Sequence, residues 1–314
     1  MRLVFAGTPD AAVPSLRTLA ASAHDLVAVV TRRDAPIGRK RVLTPSAVAR
    51  DAADLSLPVV KTDRLDAAAT ASLAELTPDL GVIVAYGGLV REPLLSAPTH
   101  GWINLHFSLL PRWRGAAPVQ RALLAGDRRT GASVFQLVAE LDAGDVFAEE
   151  VYDIPPDSTS GDVLEALSAQ GAKLLLSVVD GIAAGTATAV PQTGEPTYAP
   201  KLSAEDGLVA WDDPSERVLA RIHGATPEPG AHTTVDGARV KILAARAAAT
   251  DAAPEDGAED EPLTPGEVRV RGASVLIGTG TRPVVVDVVQ PAGKGAMGAA
   301  DWRRGLRGAA VVGS

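Results

Sequence analysis

The sequence contains no cysteine, and long apolar runs are also absent. Without cysteine the chain can form no disulfide, no thiolate metal site and no cysteine nucleophile, which fits a reducing compartment. No uninterrupted apolar run reaches the roughly 18 residues that a membrane-spanning helix requires. The stretch Met1–Thr8 has the pattern of a strand rather than of a signal peptide. We therefore expect a soluble cytoplasmic protein that has no membrane partner.

The signatures of several enzyme classes are missing as well. The chain has neither a P-loop for nucleotide phosphates nor the Gly-x-Ser-x-Gly elbow of many hydrolases. His24, His100, His223 and His232 show no metal-ligand spacing. We therefore predict that the protein binds no metal ion.

The charge balance is acidic overall but uneven along the chain. A net charge of −8 argues against a general nucleic-acid binder, and we expect no DNA partner. Residues 1–150 nevertheless hold 16 basic and 16 acidic residues. Six further acidic residues lie in Asp251–Glu261, which holds no basic residue and is interpreted as a flexible acidic loop. Local basic surfaces are therefore compatible with this composition.

Strands alternate with helices in the N-terminal part. Such alternation predicts an α/β fold with a mostly parallel, doubly wound sheet over residues 1–186. Ligands of such folds bind beyond the carboxyl ends of the strands. The predicted strands are Leu3–Ala6, Leu26–Val30, Leu80–Ala85, Trp102–Leu105, Ser133–Val138 and Val146–Tyr152, and the predicted helices include Ala116–Leu124 and Gly161–Ile182.

The C-terminal part has a different pattern. Residues 187–204 are rich in proline and glycine and are predicted to be a linker. A helix is predicted at Pro214–Ile222, followed by several β-like runs in residues 205–314. This pattern predicts a second, smaller β-barrel domain.

Asn104 is the only asparagine in the 314 residues, and it lies two positions before His106 at the end of a predicted strand. Side chains two apart on a strand point to the same face, so the amide and the imidazole are expected to converge. An amide donor beside an acid/base group suits addition to a carbonyl, because one stabilises the oxyanion and the other moves a proton. The alternative is that both are simply polar residues at a strand end.

Two further groups have both a structural and a functional interpretation. Asp142, in Leu141–Asp145, is either a turn aspartate or a carboxylate that orients His106 and raises its basicity. Arg39, Lys40 and Arg41 belong to a basic segment that is either a solvated loop or a contact for phosphates.

Four motifs stand out when they are taken together: Asn104-Leu-His106, Ser108-Leu-Leu-Pro111, Arg112-Trp-Arg-Gly-Ala-Ala-Pro-Val-Gln120 and Leu141-Asp-Ala-Gly-Asp145. Together they resemble the folate-dependent formyltransferases. The resemblance runs along nearly the whole chain. The basic segment and Gln290–Met297 point to the branch of this family whose acceptor is initiator methionyl-tRNA.

The resemblance implies a fold, a reaction and a set of site residues. The fold is a Rossmann-like domain followed by an OB-like barrel that binds tRNA. The reaction moves the formyl group of 10-formyltetrahydrofolate, a co-substrate and not a bound cofactor, to the α-amino group of methionine on the initiator tRNA. We expect a monomer. By motif match, the active-site positions are Asn104, His106 and Asp142, the folate contacts are Tyr86, Gly87, Ser108, Leu109, Leu110 and Pro111, and the tRNA contacts are Arg39, Lys40 and Arg41.

Two other functions stay open at the level of sequence. The same chemistry serves another acceptor, such as a sugar-nucleotide amine, a glycinamide ribonucleotide or water, because the shared motifs do not specify it. A non-enzymatic folate- or RNA-binding module is the third hypothesis, and the presence of Asn104, His106 and Asp142 argues against it.

Overall fold

The computed structural model describes residues 1–38, 40–248, 262–306 and 311–313. Arg39 and the predicted acidic loop Asp251–Glu261 lie outside the described residues. The chain divides into two compact units, and each is assembled from separate stretches. The first comprises Met1–Pro118, Arg129–Asp153 and Leu164–Pro200, and the second comprises Val119–Arg128, Ile154–Val163 and Lys201–Ser314.

The predicted domain boundaries assume continuous segments. In the structure, residues 119–128 and 154–163 cluster with the C-terminal residues, and most of the predicted linker 187–204 clusters with the first unit. Contacts between residues far apart in sequence decide this clustering, and a local composition pattern carries no information about them. The boundaries between separately folding domains stay a prediction.

The elements up to residue 183 alternate as expected for an α/β fold. In chain order they are β1 (Arg2–Gly7), α1 (Val13–Ala20), β2 (Asp25–Thr31), β3 (Ala35–Ile37), β4 (Val42–Thr44), α2 (Ala47–Asp54), β5 (Val59–Lys61), α3 (Ala67–Glu75), β6 (Leu80–Val84), β7 (Trp102–His106), α4 (Pro118–Leu124), β8 (Arg129–Gln136), β9 (Val146–Asp153) and α5 (Ser160–Ala183).

A seven-stranded sheet forms the core of the first unit, in the order β5-β2-β1-β6-β7-β8-β9. The five strands from β5 to β7 are parallel, and β8 and β9 are antiparallel. Nearly every residue of β1 and β6 is buried, as expected for parallel strands that are covered on both faces. The predicted Rossmann-like, mostly parallel sheet is confirmed.

The strand order reverses between β1 and β6. From β1 the chain moves outward to β2 and β5, and it then returns to β6 on the other side of β1. The loops after these strands approach each other, because the Thr8 hydroxyl donates a hydrogen bond to the Tyr86 carbonyl at 3.0 Å. Open α/β sheets bind ligands at such a reversal. Because β7 lies beside β6, its carboxyl end lies close to this edge.

Strands β3 and β4, on either side of Lys40 and Arg41, form a two-stranded ribbon that the sequence pattern did not predict. Strands β3 and β4 pair from Ala35–Thr44 to Ile37–Val42. Ile37, Val42 and Leu43 are exposed, so neither strand has the one buried face that would produce alternation. The ribbon therefore carries both apolar and basic side chains at the protein surface.

Helix α5 agrees with the helix predicted at Gly161–Ile182. By length and composition alone it is able to span a membrane. Several of its apolar residues are packed inside the protein, however: Leu167, Leu175 and Val179 are buried. At Gly171, an added Cβ would lie 3.0 Å from the Leu105 side chain of β7. These are the contacts of a core helix.

The second unit is built on an antiparallel sheet, in agreement with the predicted β-rich C-terminal domain. Its elements are α6 (Ser215–Ala225), β10 (His232–Val235), β11 (Ala238–Ala247), β12 (Val268–Arg271), β13 (Ser274–Ile277), β14 (Val284–Pro291), β15 (Met297–Gly298) and α7 (Ala299–Arg304). The order of the main strands is β10-β11-β14-β13-β12, and β15 pairs with β14. Val311 bridges to Glu267 and Gly313 bridges to Thr234, so this short segment pairs with both edges of the sheet.

Candidate active site

Asn104 and His106 lie at the carboxyl end of β7, on the same face of the strand. In the neighbouring strands Asn104 pairs with Ile83 and Phe135. Asn104 is partly exposed, and its side-chain amide has no hydrogen-bond partner among the residues that the structure describes. A partly exposed, unpaired amide at the ligand-binding edge of the sheet is available to a substrate oxygen.

His106 is buried and held in a defined orientation. Its Nε2 lies 2.8 Å from the Trp113 carbonyl oxygen. Because a carbonyl oxygen only accepts hydrogen bonds, Nε2 must carry the proton. The ring also makes an edge contact with Phe135, with 6.4 Å between the ring centroids and 87° between the planes. The other nitrogen, Nδ1, faces Asp142 and lies 3.7 Å from its Oδ2.

Burial lowers the pKa of His106 below its usual value. The Asp142 carboxylate and the hydrogen bond to Trp113 both favour the charged imidazolium, but desolvation outweighs them. The Asp142 influence was expected from the sequence, whereas the larger effect of burial was not. Near neutral pH the ring is therefore neutral, with a proton on Nε2 and a free lone pair on Nδ1.

Asp142 lies in a turn with an unusual backbone conformation. Its φ is +46°, in the left-handed region. Its Oδ2 accepts a hydrogen bond from the Gly115 N–H at 2.8 Å. Gly115 itself has a φ of +124°, and a Cβ there would lie 2.8 Å from the Ala199 carbonyl oxygen. Only glycine fits this position, so the donor to Asp142 depends on that residue.

The segment predicted to contact folate, Ser108–Pro111, is a tight and mostly buried loop. The Ser108 hydroxyl donates to the Arg112 carbonyl at 2.6 Å. The Ser133 hydroxyl donates to the Ser108 carbonyl at 2.7 Å and accepts from the Leu110 N–H at 3.2 Å. Ser108, Leu110 and Pro111 are buried and Leu109 is partly exposed. These hydrogen bonds fix the shape of the loop, and a ligand would meet mainly its backbone and Leu109.

Tyr86 and Gly87 follow β6 at the strand-order reversal. The Tyr86 ring is buried in the hydrophobic core, and its hydroxyl donates to the Thr62 carbonyl at 3.2 Å. Burial raises the pKa of Tyr86, with a smaller raising effect from Asp63 that is opposed by Arg32. The Gly87 carbonyl accepts a hydrogen bond from Arg32. The part of this pair that a ligand can reach is therefore the main chain, not the tyrosine ring.

Lys40 and Arg41 lie in the turn between β3 and β4. Both are exposed, and Arg41 has a φ of +50°. Within the described part of the chain, neither side chain makes an ion pair. Arg39, their neighbour, lies outside the described residues.

Two residues that the sequence patterns did not single out also contact the site. Gln192 donates to the Asp142 carbonyl at 2.8 Å, and Arg114 donates to the Gln192 side-chain oxygen at 2.7 Å. Gln192 lies in the predicted linker and Arg114 in one of the resemblance motifs, but no local pattern connects them. Across the described ranges, no group of three or more His, Asp or Glu side chains could hold a metal ion.

The geometry combines an unpaired amide, a buried neutral imidazole and a carboxylate at one edge of the sheet.

Two family models match the chain: "Formyl transferase" over residues 1–179, and "Formyl transferase, C-terminal domain" over residues 201–307. The chain is 60% identical over 306 residues to a methionyl-tRNA formyltransferase of Clavibacter sepedonicus, with 98% of this chain and 97% of the relative covered. It is 56% identical over 312 residues to that of Leifsonia xyli subsp. xyli, with coverages of 99% and 100%.

A solved structure is similar in fold. It is that of WlaRD, a sugar 3N-formyl transferase in the presence of dTDP and 5-N-formyl-THF. The TM-score is 0.67 at 15% identity, and the match covers 94% of this chain and 98% of that chain. At this identity the likeness concerns the fold alone. On the family models and the full-length relatives, the chain is a formyltransferase and belongs to the methionyl-tRNA formyltransferases.

Proposed function

We propose that this protein transfers the formyl group of 10-formyltetrahydrofolate to the α-amino group of methionine on initiator methionyl-tRNA. The product is N-formylmethionyl-tRNA, which is used to initiate translation. The observation that carries the chemistry is the unpaired Asn104 amide on the same strand face as the buried His106. The names of the full-length relatives support the acceptor, and WlaRD, which was solved with a formyl-folate, supports the donor class.

Asn104 is proposed to stabilise the oxyanion. When the amine nitrogen attacks the formyl carbon, the carbonyl electron pair moves to oxygen and a tetrahedral intermediate forms. The Asn104 N–H then donates to that oxygen. Since this amide has no partner among the described residues, it loses no protein hydrogen bond when it turns to the substrate. A preorganised donor of this kind contributes about 100- to 1000-fold in rate.

His106 is proposed to move the proton. Because Nε2 donates to the Trp113 carbonyl, Nδ1 is the only nitrogen of the ring that can accept the amine proton. The lowered pKa of His106 leaves this nitrogen free to act as a base. The resulting imidazolium faces Asp142 and adds to the stabilisation of the oxyanion. When the bond to N10 of the folate breaks, the same proton passes to N10 and tetrahydrofolate leaves.

Asp142 is proposed to orient and tune His106. Its Oδ2 is held by the Gly115 N–H and lies 3.7 Å from Nδ1. The carboxylate favours the charged ring, so it helps most after the proton has been accepted. No metal ion takes part in this proposal.

The substrate contacts belong to the same proposal. Folate is assigned to the main chain of Tyr86 and Gly87 and to the Ser108–Pro111 loop, because both lie at the edge of the sheet that carries His106. The tRNA is assigned to Arg39, Lys40 and Arg41, two of which are exposed cations on the β3–β4 ribbon. That the protein is a cytoplasmic monomer and binds no DNA also stays a prediction.

The proposal is tested with purified protein, 10-formyltetrahydrofolate and methionine-charged initiator tRNA. We expect formyl-methionyl-tRNA from the wild type, and a far smaller yield from tRNA charged with methionine but lacking the initiator features. Formyl-folate consumption without a tRNA product would retain the formyl-transfer chemistry and reject the tRNA acceptor. No consumption of the folate at all would favour a binding module.

A further inference from the structure

Residues 190–199, here called the 190–199 segment, form hydrogen bonds near both of their ends with chain segments that neighbour the active-site residues. At one end, Val190 and Val146 exchange backbone hydrogen bonds of 2.8 and 2.9 Å. At the other end, Thr197 accepts from the Trp113 N–H at 2.9 Å and from the Arg114 N–H at 2.8 Å. This part of the predicted linker therefore contacts the loop that carries Trp113 and the chain that follows Asp142.

Gln192 lies between these two anchored ends, and its amide is fully used. Its Nε2 donates to the carbonyl of Asp142 at 2.8 Å and to that of Gly144 at 2.9 Å. Its Oε1 accepts from Arg114 Nη2 at 2.7 Å and Nε at 3.2 Å. Four hydrogen bonds are the complete capacity of a glutamine side chain. The orientation of the amide is therefore fixed.

Arg114 determines which way the Gln192 amide faces. A guanidinium only donates, so the oxygen of Gln192 must point toward Arg114 and its nitrogen toward the Asp142 turn. The Arg114 side chain is buried, and its Nη1 also lies 3.4 Å from Glu140, two residues before Asp142. The guanidinium thus contacts both the glutamine and the start of the turn.

We propose that Gln192, oriented by Arg114, is a positioning residue that holds the Asp142 turn in the conformation needed for formyl transfer. The inference rests on the proposed function, because it concerns the site to which that function is assigned. Gln192 holds the main chain of Asp142, while Gly115 holds its carboxylate.

The conformation of Asp142 benefits from such support. Its φ of +46° lies in the left-handed region, which costs conformational energy for a residue other than glycine, although aspartate tolerates it better than most. If the main-chain hydrogen bonds are lost, the turn can relax and carry the carboxylate away from His106 Nδ1. A displacement of about 1 Å at a catalytic group can reduce the rate by about 100-fold.

Gln192→Met is the first test, because it keeps the size of the side chain and removes both donors. We expect kcat to fall by about 10- to 100-fold, while KM for the folate and for the tRNA changes by less than about threefold. Gln170→Met is the matched control in the same unit, since the Gln170 side-chain oxygen has no hydrogen-bond partner within the structure as described. It is expected to keep the wild-type kcat. An unchanged kcat in Gln192→Met overturns the inference.

A double-mutant cycle with Asp142→Asn separates positioning from general destabilisation. If Gln192 acts through Asp142, adding Gln192→Met to Asp142→Asn lowers kcat by less than about twofold. If Gln192 acts elsewhere, the two losses multiply and the proposed role is rejected. Melting temperatures of all variants, measured in parallel, ensure that kcat is compared among folded proteins.

A measurement without substrates separates this inference from the proposed function. The His106 ring is followed by NMR during a pH titration of the wild type, Gln192→Met and Gln170→Met. Since Asp142 favours the charged ring, displacing it is expected to lower the pKa of His106 further in Gln192→Met only. If the wild type forms no formyl-methionyl-tRNA, the proposed function fails and this titration decides the role of Gln192. Superimposable titrations of the wild type and Gln192→Met would then overturn it.

Discussion

Replacing Asn104 with alanine should nearly abolish formyl transfer and leave the fold intact. The Asn104 amide has no hydrogen-bond partner among the described residues, so its removal orphans no protein donor or acceptor. The side chain is also partly exposed, and we expect the free energy of unfolding to change by no more than about 1 kcal/mol. The loss of one oxyanion donor lowers kcat by about 100- to 1000-fold, equivalent to about 2.7–4 kcal/mol of transition-state stabilisation.

His106→Ala should behave differently in the same two measurements. Its Nε2 is bonded to the Trp113 carbonyl at 2.8 Å in a buried environment. Removing the ring removes this hydrogen bond and opens a cavity beside Phe135, which together cost about 2–4 kcal/mol of stability. His106→Ala is therefore expected to lose both activity and stability, whereas Asn104→Ala loses activity alone.

The assay pairs single-turnover formylation of methionyl-tRNA with urea unfolding of each variant. Asn104→Asp is the control, because it preserves the shape of the side chain while replacing the N–H donor with a negative charge. It should be at least as inactive as Asn104→Ala. A kcat within about threefold of the wild type for Asn104→Ala would refute the oxyanion assignment. An equal loss of stability in Asn104→Ala and His106→Ala would refute the description of the Asn104 amide as unpaired.

Four further predictions follow from particular residues. Because burial lowers the pKa of His106, the unfolded chain binds this proton more readily than the folded chain does. The free energy of unfolding should therefore decrease as the pH falls from about 6.5 toward the lowered pKa of the folded state. In urea unfolding measured from pH 7.5 to 5, this decrease should be weaker in His106→Gln than in the wild type. Activity, measured as kcat/KM, should persist below pH 6.5 and be lost only as the His106 ring is protonated; an acidic limb centred at or above the usual histidine value would contradict this. Gly115→Ala should cost about 1–3 kcal/mol of stability, measured by urea unfolding. The reason is that a φ of +124° and an added Cβ 2.8 Å from the Ala199 carbonyl oxygen strain the loop. An unchanged unfolding midpoint would show that the loop adapts. Reversing the charge of both Lys40 and Arg41 to glutamate should raise KM for the tRNA by about 10-fold and weaken its salt dependence, with KM for the folate unchanged; equal effects on both substrates would contradict a tRNA contact.

The sequence predicted the sheet because its strands are buried on both faces. Such strands appear as short apolar runs between turn residues, and Leu80–Val84 is an example in which every residue is buried. The ribbon β3–β4 was missed for the opposite reason. Its strands are three residues long and largely exposed, so no periodicity marks them.

The active-site assignment was only partly accessible from sequence. The spacing of Asn104 and His106 placed them on one strand face, since side-chain direction on a strand has a period of two. From the residues alone, Asp142 stayed open between a turn aspartate and a partner of His106, because it lies 36 positions beyond His106 and no local rule connects them; the family resemblance assigned it to the site. The roles of these residues stay predictions. Gln192 was not predicted, because it reaches the site from a segment whose composition indicated a linker.

By itself, the sequence determined the α/β class, the β-rich C-terminal part and the strand-end position of Asn104 and His106. These depend on local periodicity and on the identity of residues a few positions apart. Only the tertiary structure decided that His106 is buried with Nε2 on the Trp113 carbonyl, that its pKa is lowered rather than raised, and that Gln192 and Gly115 hold Asp142. Desolvation and long-range hydrogen bonds depend on which residues the fold encloses together, and the linear order of the chain does not specify that enclosure.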